Sequence, residues 1–214
     1  MYIIGIDEAG RGPLAGPVAV GVVLIPKNFR PKNKKTKLPL RDSKKLPEHA
    51  RKAWFEYLKT HPKILCKVTM VHPKTIDRIN ITEAVNLAAT RALRITLQPG
   101  RASPRGKQVQ EITKQGCKIY LDAGIKINPN EAKSYKLKAM IRGDEKINAI
   151  KLASIAAKVT RDRYMKRKHK EYPMYGFNIH KGYGTKDHIK AIKKNGPSAL
   201  HRLTFIKKYA TIRK

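Results

Sequence analysis

Four acidic side chains lie where apolar runs of the sequence end or where a helix is about to begin. They are Asp7 and Glu8, which follow the apolar residues 2–6, Asp122, which follows residues 118–121, and Asp144, which follows Arg142-Gly143. Adjacent carboxylates repel each other unless a positive charge lies near them, and this chain has only 15 acidic residues against 48 Lys and Arg. Oxygen ligands suit Mg²⁺, and two such ions can clamp a scissile phosphate. The pattern therefore predicts a divalent-metal site that faces a negatively charged substrate.

Each of these acids also has a simpler interpretation. Asp7 and Glu8 can belong to a solvated acidic loop. Asp122 can be an ordinary turn residue, and Asp144 can cap the long helix that follows it. Because side chains alternate between the two faces of a strand, we expect Glu8 to converge with Asp7 only if it lies past the regular strand.

The elements that must position these acids alternate between strands and helices. Strands are predicted at 2–6, 18–25, 64–71, 118–121 and 135–141 from their apolar runs. Helices are predicted from Pro47 onward, over 81–97 with Asn80 and Glu83 as its capping signature, and over 147–171, 186–194 and 198–206. This order predicts an α/β fold in which a mixed β-sheet is flanked by helices, with functional residues at strand ends.

The charge of the chain indicates the class of partner. A net charge of +33 on 214 residues repels itself unless a polyanion screens it, and nucleic acid is the polyanion that such a surface fits best. An anionic membrane is the competing partner, but no apolar stretch is long enough to span a bilayer. Cys66 and Cys117 have no paired spacing and no signal peptide precedes them, so we expect reduced residues in a cytoplasmic protein. The basic stretches 26–40 and 98–116 are predicted to be loops, and their roles stay open.

Several blocks of sequence resemble the type 2 ribonuclease H family, and within it bacterial ribonuclease HII. Two are highly specific: the opening block at residues 3–17, which contains Ile-Asp-Glu-Ala-Gly-Arg-Gly, and Arg142-Gly143-Asp144. The others are found at residues 42–46 (Asp-Ser-Lys-Lys-Leu), 80–81, 121–122, 153–162, 175–177, 180–185 and 201–205. The blocks occur in family order over nearly the whole chain.

The resemblance implies a fold and a set of site residues. The fold is ribonuclease H-like over residues 1–185, with a C-terminal helical extension at 186–214 packed on it. The implied metal-binding and catalytic residues are Asp7, Glu8, Asp122 and Asp144, which would hold two Mg²⁺ or Mn²⁺ ions with Asp7 between them. The implied substrate-binding residues are Gly10, Arg11 and Gly12, whose backbone would read the ribose 2′-hydroxyl, Tyr183, which would sense the next sugar, and Ser43, Lys44 and Lys45, which would contact phosphates.

Some of these residues have plain alternatives when the family is set aside. Tyr183 is then an exposed loop aromatic, and residues 43–45 are a polar turn. Arg161, Asp162 and Arg163 are either phosphate contacts or a surface charge network, and we keep them out of the catalytic set.

The implied activity is endonucleolytic hydrolysis of RNA in RNA/DNA hybrids, with cleavage 5′ of single ribonucleotides in duplex DNA to give 3′-hydroxyl and 5′-phosphate ends. One alternative is a non-enzymatic basic nucleic-acid-binding protein, which would gain nothing from carboxylates facing phosphates. Another is a different nuclease of the same fold, such as a junction resolvase or a type 1 ribonuclease H, against which Tyr183 and the glycine loop argue. We expect a monomer without membrane association, and a sliding clamp stays open as a further partner.

Overall fold

A computed structural model describes residues 1–97, 117–132 and 135–209 of the chain. Its strands are β1, Tyr2–Ala9; β2, Val18–Pro26; β3, Leu65–Val71; β4, Cys117–Asp122; and β5, Lys136–Met140. They form one sheet in the order β3-β2-β1-β4-β5. The first three strands are antiparallel neighbours, whereas β4 runs parallel to both β1 and β5. The predicted mixed sheet is confirmed.

Helices surround this sheet. They are α1, Glu48–Thr60; α2, Pro73–Leu97; α3, Pro129–Ala132; α4, Gly143–Lys146; α5, Asn148–Glu171; α6, Phe177–His180; α7, Lys186–Asn195; and α8, Leu203–Ile206. Two short 3-10 turns cover Ser43–Lys45 and Pro173–Tyr175. Among the described residues, no helix is both long and apolar enough to cross a membrane.

The two faces of the sheet bury separate apolar clusters. One face packs on α2, where Val85, Ala88 and Ala92 are fully buried, and the other packs on α1 and α5. The long helix α5 lies unusually close to the sheet, because a Cβ added at Gly5 or Gly21 would overlap its backbone at Ala149 or Ala153. The small-residue stripe of α5 therefore sets the distance between the helix and the strands that carry the acids.

Two helices differ from the sequence prediction. Helix α2 begins at Pro73, eight residues earlier than predicted, and is interrupted at Asn80, whose φ of 64° is not helical. Asn80 nevertheless caps the second part as expected, because its Oδ1 accepts a hydrogen bond from the Glu83 N–H at 3.0 Å. The predicted helix over 198–206 is wrong at its start, since only Leu203–Ile206 is helical. The predicted loop at 98–116 lies outside the described residues.

The segment that precedes α8 is extended because it pairs with the loop after β1. Ala15 and His201 form an antiparallel bridge. The Gly16 N–H donates to the Leu200 carbonyl at 2.7 Å, and the Arg202 N–H donates to the Leu14 carbonyl at 2.8 Å. These long-range bonds outweigh the helical pattern of residues 198–202. The division of the chain into residues 1–185 and an extension at 186–214 stays a prediction.

Candidate active site

Three of the four predicted carboxylates converge at one edge of the sheet. One oxygen from each of Asp7, Glu8 and Asp122 lies within 4.8 Å of the others. The register of the sheet explains this proximity, because β1 and β4 are parallel and Ile6 pairs with Leu121. The residues that follow this pair, Asp7 and Asp122, therefore lie side by side where the two strands part.

The expectation that Glu8 converges with Asp7 only if it lies past the regular strand is wrong. Glu8 does not lie past the strand but inside β1, opposite Val20. Its side chain starts from the α2 face of the sheet, whereas Asp7 starts from the α5 face. Pairing of β1 with β4 stops at Ile6, so that edge of β1 is open and the longer Glu8 side chain can reach around it to Asp7.

The Glu8 carboxylate is held on one side and free on the other. Its Oε1 accepts a hydrogen bond from Arg11 Nε at 2.7 Å, and Arg11 Nη2 also donates to the Gly124 carbonyl at 3.1 Å. Its Oε2 is buried and has no hydrogen-bond partner among the described residues. A buried acceptor without a partner is costly.

The Asp7 carboxylate is buried under strong electrostatic repulsion. Burial raises the pKa of Asp7 well above its ordinary value, and the charges of Glu8 and Asp122 raise it further. A hydrogen bond from Ser154 on α5 opposes this rise. Ser154 Oγ lies 2.8 Å from Ser43 Oγ, so the two hydroxyls connect Asp7 to the 3-10 turn at Ser43–Lys45. A cation placed among these carboxylates would offset the repulsion.

Asp144 lies beside the cluster and not within it. It is buried in α4, and the long helix is capped by Ile147, so Asp144 is not its cap. Asp122 Oδ1 accepts a hydrogen bond from the Gly143 N–H at 3.1 Å, which ties the α4 segment to the cluster. Burial raises the pKa of Asp144, and the nearby carboxylates of Asp42 and Asp122 add to the effect.

Asp42 is a fifth carboxylate that the sequence analysis did not place in the site. It is buried, its charge is among the causes that raise the pKa of Asp144, and it accepts the Lys44 N–H at 2.9 Å as the cap of the 3-10 turn. Its position before Ser43 in the Asp-Ser-Lys-Lys-Leu block was the available signal, since Asp is a preferred cap of such a turn.

The two lysines of this block have different surroundings. Burial lowers the pKa of Lys44, but the charges of Asp42, Asp144, Asp7 and Asp122 outweigh burial and raise the pKa overall. Lys44 is thus a cation that faces the acids. Lys45 instead pairs with Glu145 at 2.7 Å on the surface, and it does not line the cleft that contains Asp7.

The predicted ribose-binding residues share a cleft with the carboxylates. The described residues that line it are Asp7, Glu8, Ala9, Gly10, Arg11, Gly12, Ser43, Lys44, Asp122, Ser154, Lys158 and Tyr183. Tyr183 is 43% exposed, and its ring centroid lies 5.8 Å from Lys158 Nζ and 5.8 Å from Arg161 Cζ. Lys158 and Ser154 are cleft residues that the sequence analysis did not assign to the site.

Two buried arginines bind the backbone of the glycine loop and of the residues that follow it. Arg161 donates to the carbonyls of Pro17 and Ala15 at 2.9 and 3.1 Å, and Arg202 donates to those of Gly16, Arg11 and Gly10 at 3.0, 2.7 and 2.7 Å. Both arginines are fully buried, so Arg161 is neither a phosphate contact nor part of a surface network. Within the described part of the chain, the Arg11 and Gly12 N–H groups make no backbone hydrogen bond.

Gly10 and Gly12 lack side chains for different reasons. Gly10 has a φ of +93°, and a Cβ there would overlap the Arg161 guanidinium. A Cβ at Gly12 would have no atom of the chain within 4 Å. Packing within the chain explains the first glycine and leaves the second with open space in the cleft.

Comparison with known proteins identifies the family. The ribonuclease HII family model matches residues 4–208. Ribonuclease HII of Endomicrobium trichonymphae is 41% identical over 206 residues, which cover 95% of this chain and 84% of the relative. The crystal structure of ribonuclease H2 from Pyrococcus horikoshii OT3 has a TM-score of 0.68 and 27% identity, and the match covers 98% of this chain and 97% of that one.

A second solved structure shares the ribonuclease H-like fold. Bst-RNase HIII in complex with Mn²⁺ has a TM-score of 0.66 and 20% identity, over 96% of this chain and 67% of that one. The match to the family model extends over nearly the whole sequence and includes every carboxylate of the cluster. The chain therefore belongs to the ribonuclease HII family.

Proposed function

We propose that this chain cleaves on the 5′ side of single ribonucleotides embedded in duplex DNA, with two Mg²⁺ or Mn²⁺ ions held by Asp7, Glu8, Asp122 and Asp144. Ribonuclease H activity on RNA/DNA hybrids follows from membership of the family, and the proposal adds the substrate and the mechanism. The observation that carries it is the shared cleft, in which three carboxylates within 4.8 Å of one another stand beside Gly10-Arg11-Gly12 and Tyr183.

The donor set suits a divalent cation. All four proposed ligands are carboxylates, which Mg²⁺ and Mn²⁺ prefer to nitrogen or sulfur. The buried Glu8 Oε2 has no partner among the described residues, and Asp7 is under repulsion from Glu8 and Asp122. When bound, two such ions supply an activated water and stabilise the leaving oxygen of the phosphodiester. The Mn²⁺ complex of Bst-RNase HIII supports this choice of metal.

The residues around the cluster have separable tasks. Ser154 donates a hydrogen bond to Asp7 and holds its carboxylate toward the cluster. Asp42 borders Asp144 and Lys44, so it ties the acid and the cation to one turn. Lys44 brings a positive charge to the acid cluster, where it can contact the phosphate that approaches the carboxylates.

Ribose recognition is assigned to the other side of the cleft. The 2′-hydroxyl is what distinguishes RNA from DNA at a single position. The Arg11 and Gly12 N–H groups can donate to it, and the absence of a side chain at Gly12 leaves room for a sugar. Tyr183 presents an exposed ring near Lys158 and Arg161, where it can pack on the following deoxyribose.

A cleavage assay on three duplexes tests the proposal. They contain one ribonucleotide, a continuous RNA strand, or no ribonucleotide. We expect the first to be cut on its 5′ side and the third to be refused, because the groups that bind the 2′-hydroxyl would be left unpaired. Cleavage should stop in chelator and return with Mg²⁺ or Mn²⁺.

A matched pair of variants isolates the carboxylate cluster. Asp7→Asn should abolish cleavage and retain binding, because it removes negative charge from a surface that faces phosphates. Asp187→Asn, an exposed acid in the first turn of α7, should keep the parent rate. Cleavage by Asp7→Asn at the parent rate, or full activity in chelator, would refute the metal assignment.

A further inference from the structure

The C-terminal segment contacts both of the elements assigned to ribose recognition. We propose that His201 and Arg202 are positioning residues that fix the Gly10-Arg11-Gly12 loop and Tyr183 relative to each other, and so contribute to discrimination between substrates. The inference rests on the function proposed for the loop and for Tyr183. It concerns two adjacent side chains that do not line the cleft themselves.

Arg202 holds the backbone of the glycine loop through its guanidinium group. Its Nε, Nη1 and Nη2 donate to the carbonyls of Gly16, Arg11 and Gly10. A guanidinium is planar and presents its donors in a fixed fork, so three carbonyls bound to one such group have little freedom relative to each other. With these carbonyls turned toward buried Arg202, the loop N–H groups remain available to the cleft.

His201 is connected to the Tyr183 backbone through a chain of hydrogen bonds. His201 Nδ1 accepts from the Ser198 N–H at 2.9 Å, His201 Nε2 lies 3.1 Å from His188 Nε2, and His188 Nδ1 lies 2.8 Å from the Tyr183 carbonyl. Both rings are buried. One end of this chain is a backbone N–H donor and the other end is a carbonyl acceptor. Only one placement of the ring protons on the two histidines therefore pairs a donor with an acceptor at every step.

The tautomers follow from these two ends. Since His201 Nδ1 accepts from a backbone N–H, its proton must be on Nε2, which then donates to His188 Nε2. His188 therefore has its proton on Nδ1 and donates to the Tyr183 carbonyl. Burial lowers the pKa of both histidines to about 4, in keeping with two neutral rings. A charged ring at either position would set two N–H groups against each other.

The Tyr183 backbone needs such support because the turn before it is unusual. Lys181 and Gly182 have φ values of 53° and 87°. The Tyr183 N–H donates to the His180 carbonyl, and the Tyr183 carbonyl also accepts from Thr185. The Gly182 carbonyl accepts from the Leu14 and Ala15 N–H groups, so the Tyr183 turn rests on the segment that pairs with His201 and Arg202.

The first test determines which ring nitrogens of His201 and His188 are protonated in the intact wild-type protein. Nitrogen-15 NMR of the histidine rings at neutral pH distinguishes a protonated ring nitrogen from an unprotonated one. We expect a proton on Nε2 of His201 and on Nδ1 of His188. The opposite tautomer, or a charged ring, at either position would overturn the inference whatever the activity of the enzyme.

The second test measures selectivity, as the ratio of kcat/KM on the single-ribonucleotide duplex to that on a continuous hybrid. His188→Leu removes the donor to Tyr183 and should lower this ratio about tenfold, since sub-ångström misplacement of a binding group carries a cost of this order. In His188→Asn the side-chain amide can donate from near the position of Nδ1, so the ratio should stay near that of the parent. His49→Leu, an exposed histidine in α1, is the control.

The third test concerns Arg202. Arg202→Lys replaces three forked donors by one ammonium and should also lower the ratio, whereas Arg163→Lys changes an exposed arginine paired with Glu56 and should not. Thermal unfolding of each variant identifies any that fails to fold, and the NMR and His188 measurements do not depend on Arg202→Lys. Equal ratios for His188→Leu, His188→Asn and the parent would overturn the inference.

A Tyr183→Ala variant separates this inference from its premise. If Tyr183→Ala lowers the ratio and His188→Leu does not, the positioning role is refuted and the function of Tyr183 stands. If Tyr183→Ala itself keeps the parent ratio, the function proposed for Tyr183 is refuted, and the selectivity role of His201 and Arg202 is overturned with it.

Discussion

The contrast between Gly10 and Gly12 gives the sharpest prediction for the glycine loop. Gly10→Ala should destabilise the fold, because its φ of +93° strains an L-residue and its Cβ would overlap the Arg161 guanidinium. The backbone strain costs about 1–2 kcal/mol, and overpacking a buried site costs about 1–3 kcal/mol more. Since each kcal/mol shifts the melting temperature of a chain of this size by about 2–4 °C, a fall of roughly 10 °C is expected.

Gly12→Ala should leave the fold intact and impair the reaction. A methyl group there meets no atom of the chain within 4 Å, so the change in unfolding free energy should stay within about 0.5 kcal/mol. The same methyl group would occupy the space assigned to the sugar. Displacing a substrate by about 1 Å from its reactive position lowers kcat/KM by up to roughly a hundredfold.

A third glycine separates the two contributions at Gly10. Gly196 has a φ of +73°, and a Cβ there meets nothing within 4 Å, so Gly196→Ala should show the backbone strain without the clash. Differential scanning calorimetry and single-turnover cleavage measure the two effects on all three variants. A parent value of kcat/KM for Gly12→Ala would refute the idea that its open space is reserved for substrate. A loss of stability at Gly12 equal to that at Gly10 would refute the packing argument.

Two further predictions concern pH and salt. Burial lowers the pKa of His188 and His201 in the folded protein to about 4 from 6.5. The contribution of these two neutral rings to the free energy of unfolding is therefore fully present above pH 6.5. It should be lost as the pH falls toward 4, by up to about 3 kcal/mol for each ring. The raised pKa values of Asp7 and Asp144 act in the opposite direction. The measurement is therefore the difference in unfolding free energy between the parent and His188→Asn, obtained by chemical denaturation at each pH. A difference that stays constant from pH 7 to 4 would contradict the prediction. Duplex affinity should fall about 10³–10⁵-fold between 50 and 200 mM salt if six to ten phosphates are neutralised. Deletion of residues 98–116 should reduce the slope of log affinity against log salt concentration if their lysines and arginines contact DNA. An unchanged slope would mean that they make no such contact.

The acid side of the site was readable from sequence because local patterns determine it. An apolar run that ends on an acid marks a strand that carries a carboxylate to the edge of a sheet, and this holds for both Asp7 and Asp122. Parallel pairing of β1 with β4 then brings the two together. Glu8 was misjudged because alternation fixes only the face from which a side chain starts. Beside the open edge of β1, past Ile6, the longer glutamate side chain can reach around to Asp7.

Other expectations failed where burial depends on distant parts of the chain. Leu137 and Ile141 lie in the apolar run that predicts a strand at 135–141, yet they are 42% and 75% exposed, since alternation along an edge strand does not say which face is covered. Arg161 lies in a run of charged residues that predicts a solvated helix face. It is buried because its partners are carbonyls from residues 15 and 17, and no local pattern in α5 reports them.

The two sides of the cleft are therefore built by different parts of the chain. The carboxylates are placed by β1, β4 and α4, whose contacts are made within the sheet and with α5. The glycine loop and Tyr183 are placed by side chains near residue 200, through bonds that span up to 192 residues of sequence. Apart from the hydrogen bond between Arg11 and Glu8, the two sets of contacts share few residues, so the effects of perturbing them should be nearly additive. We expect substitutions in the C-terminal segment to change which substrate is cut before they change the requirement for metal.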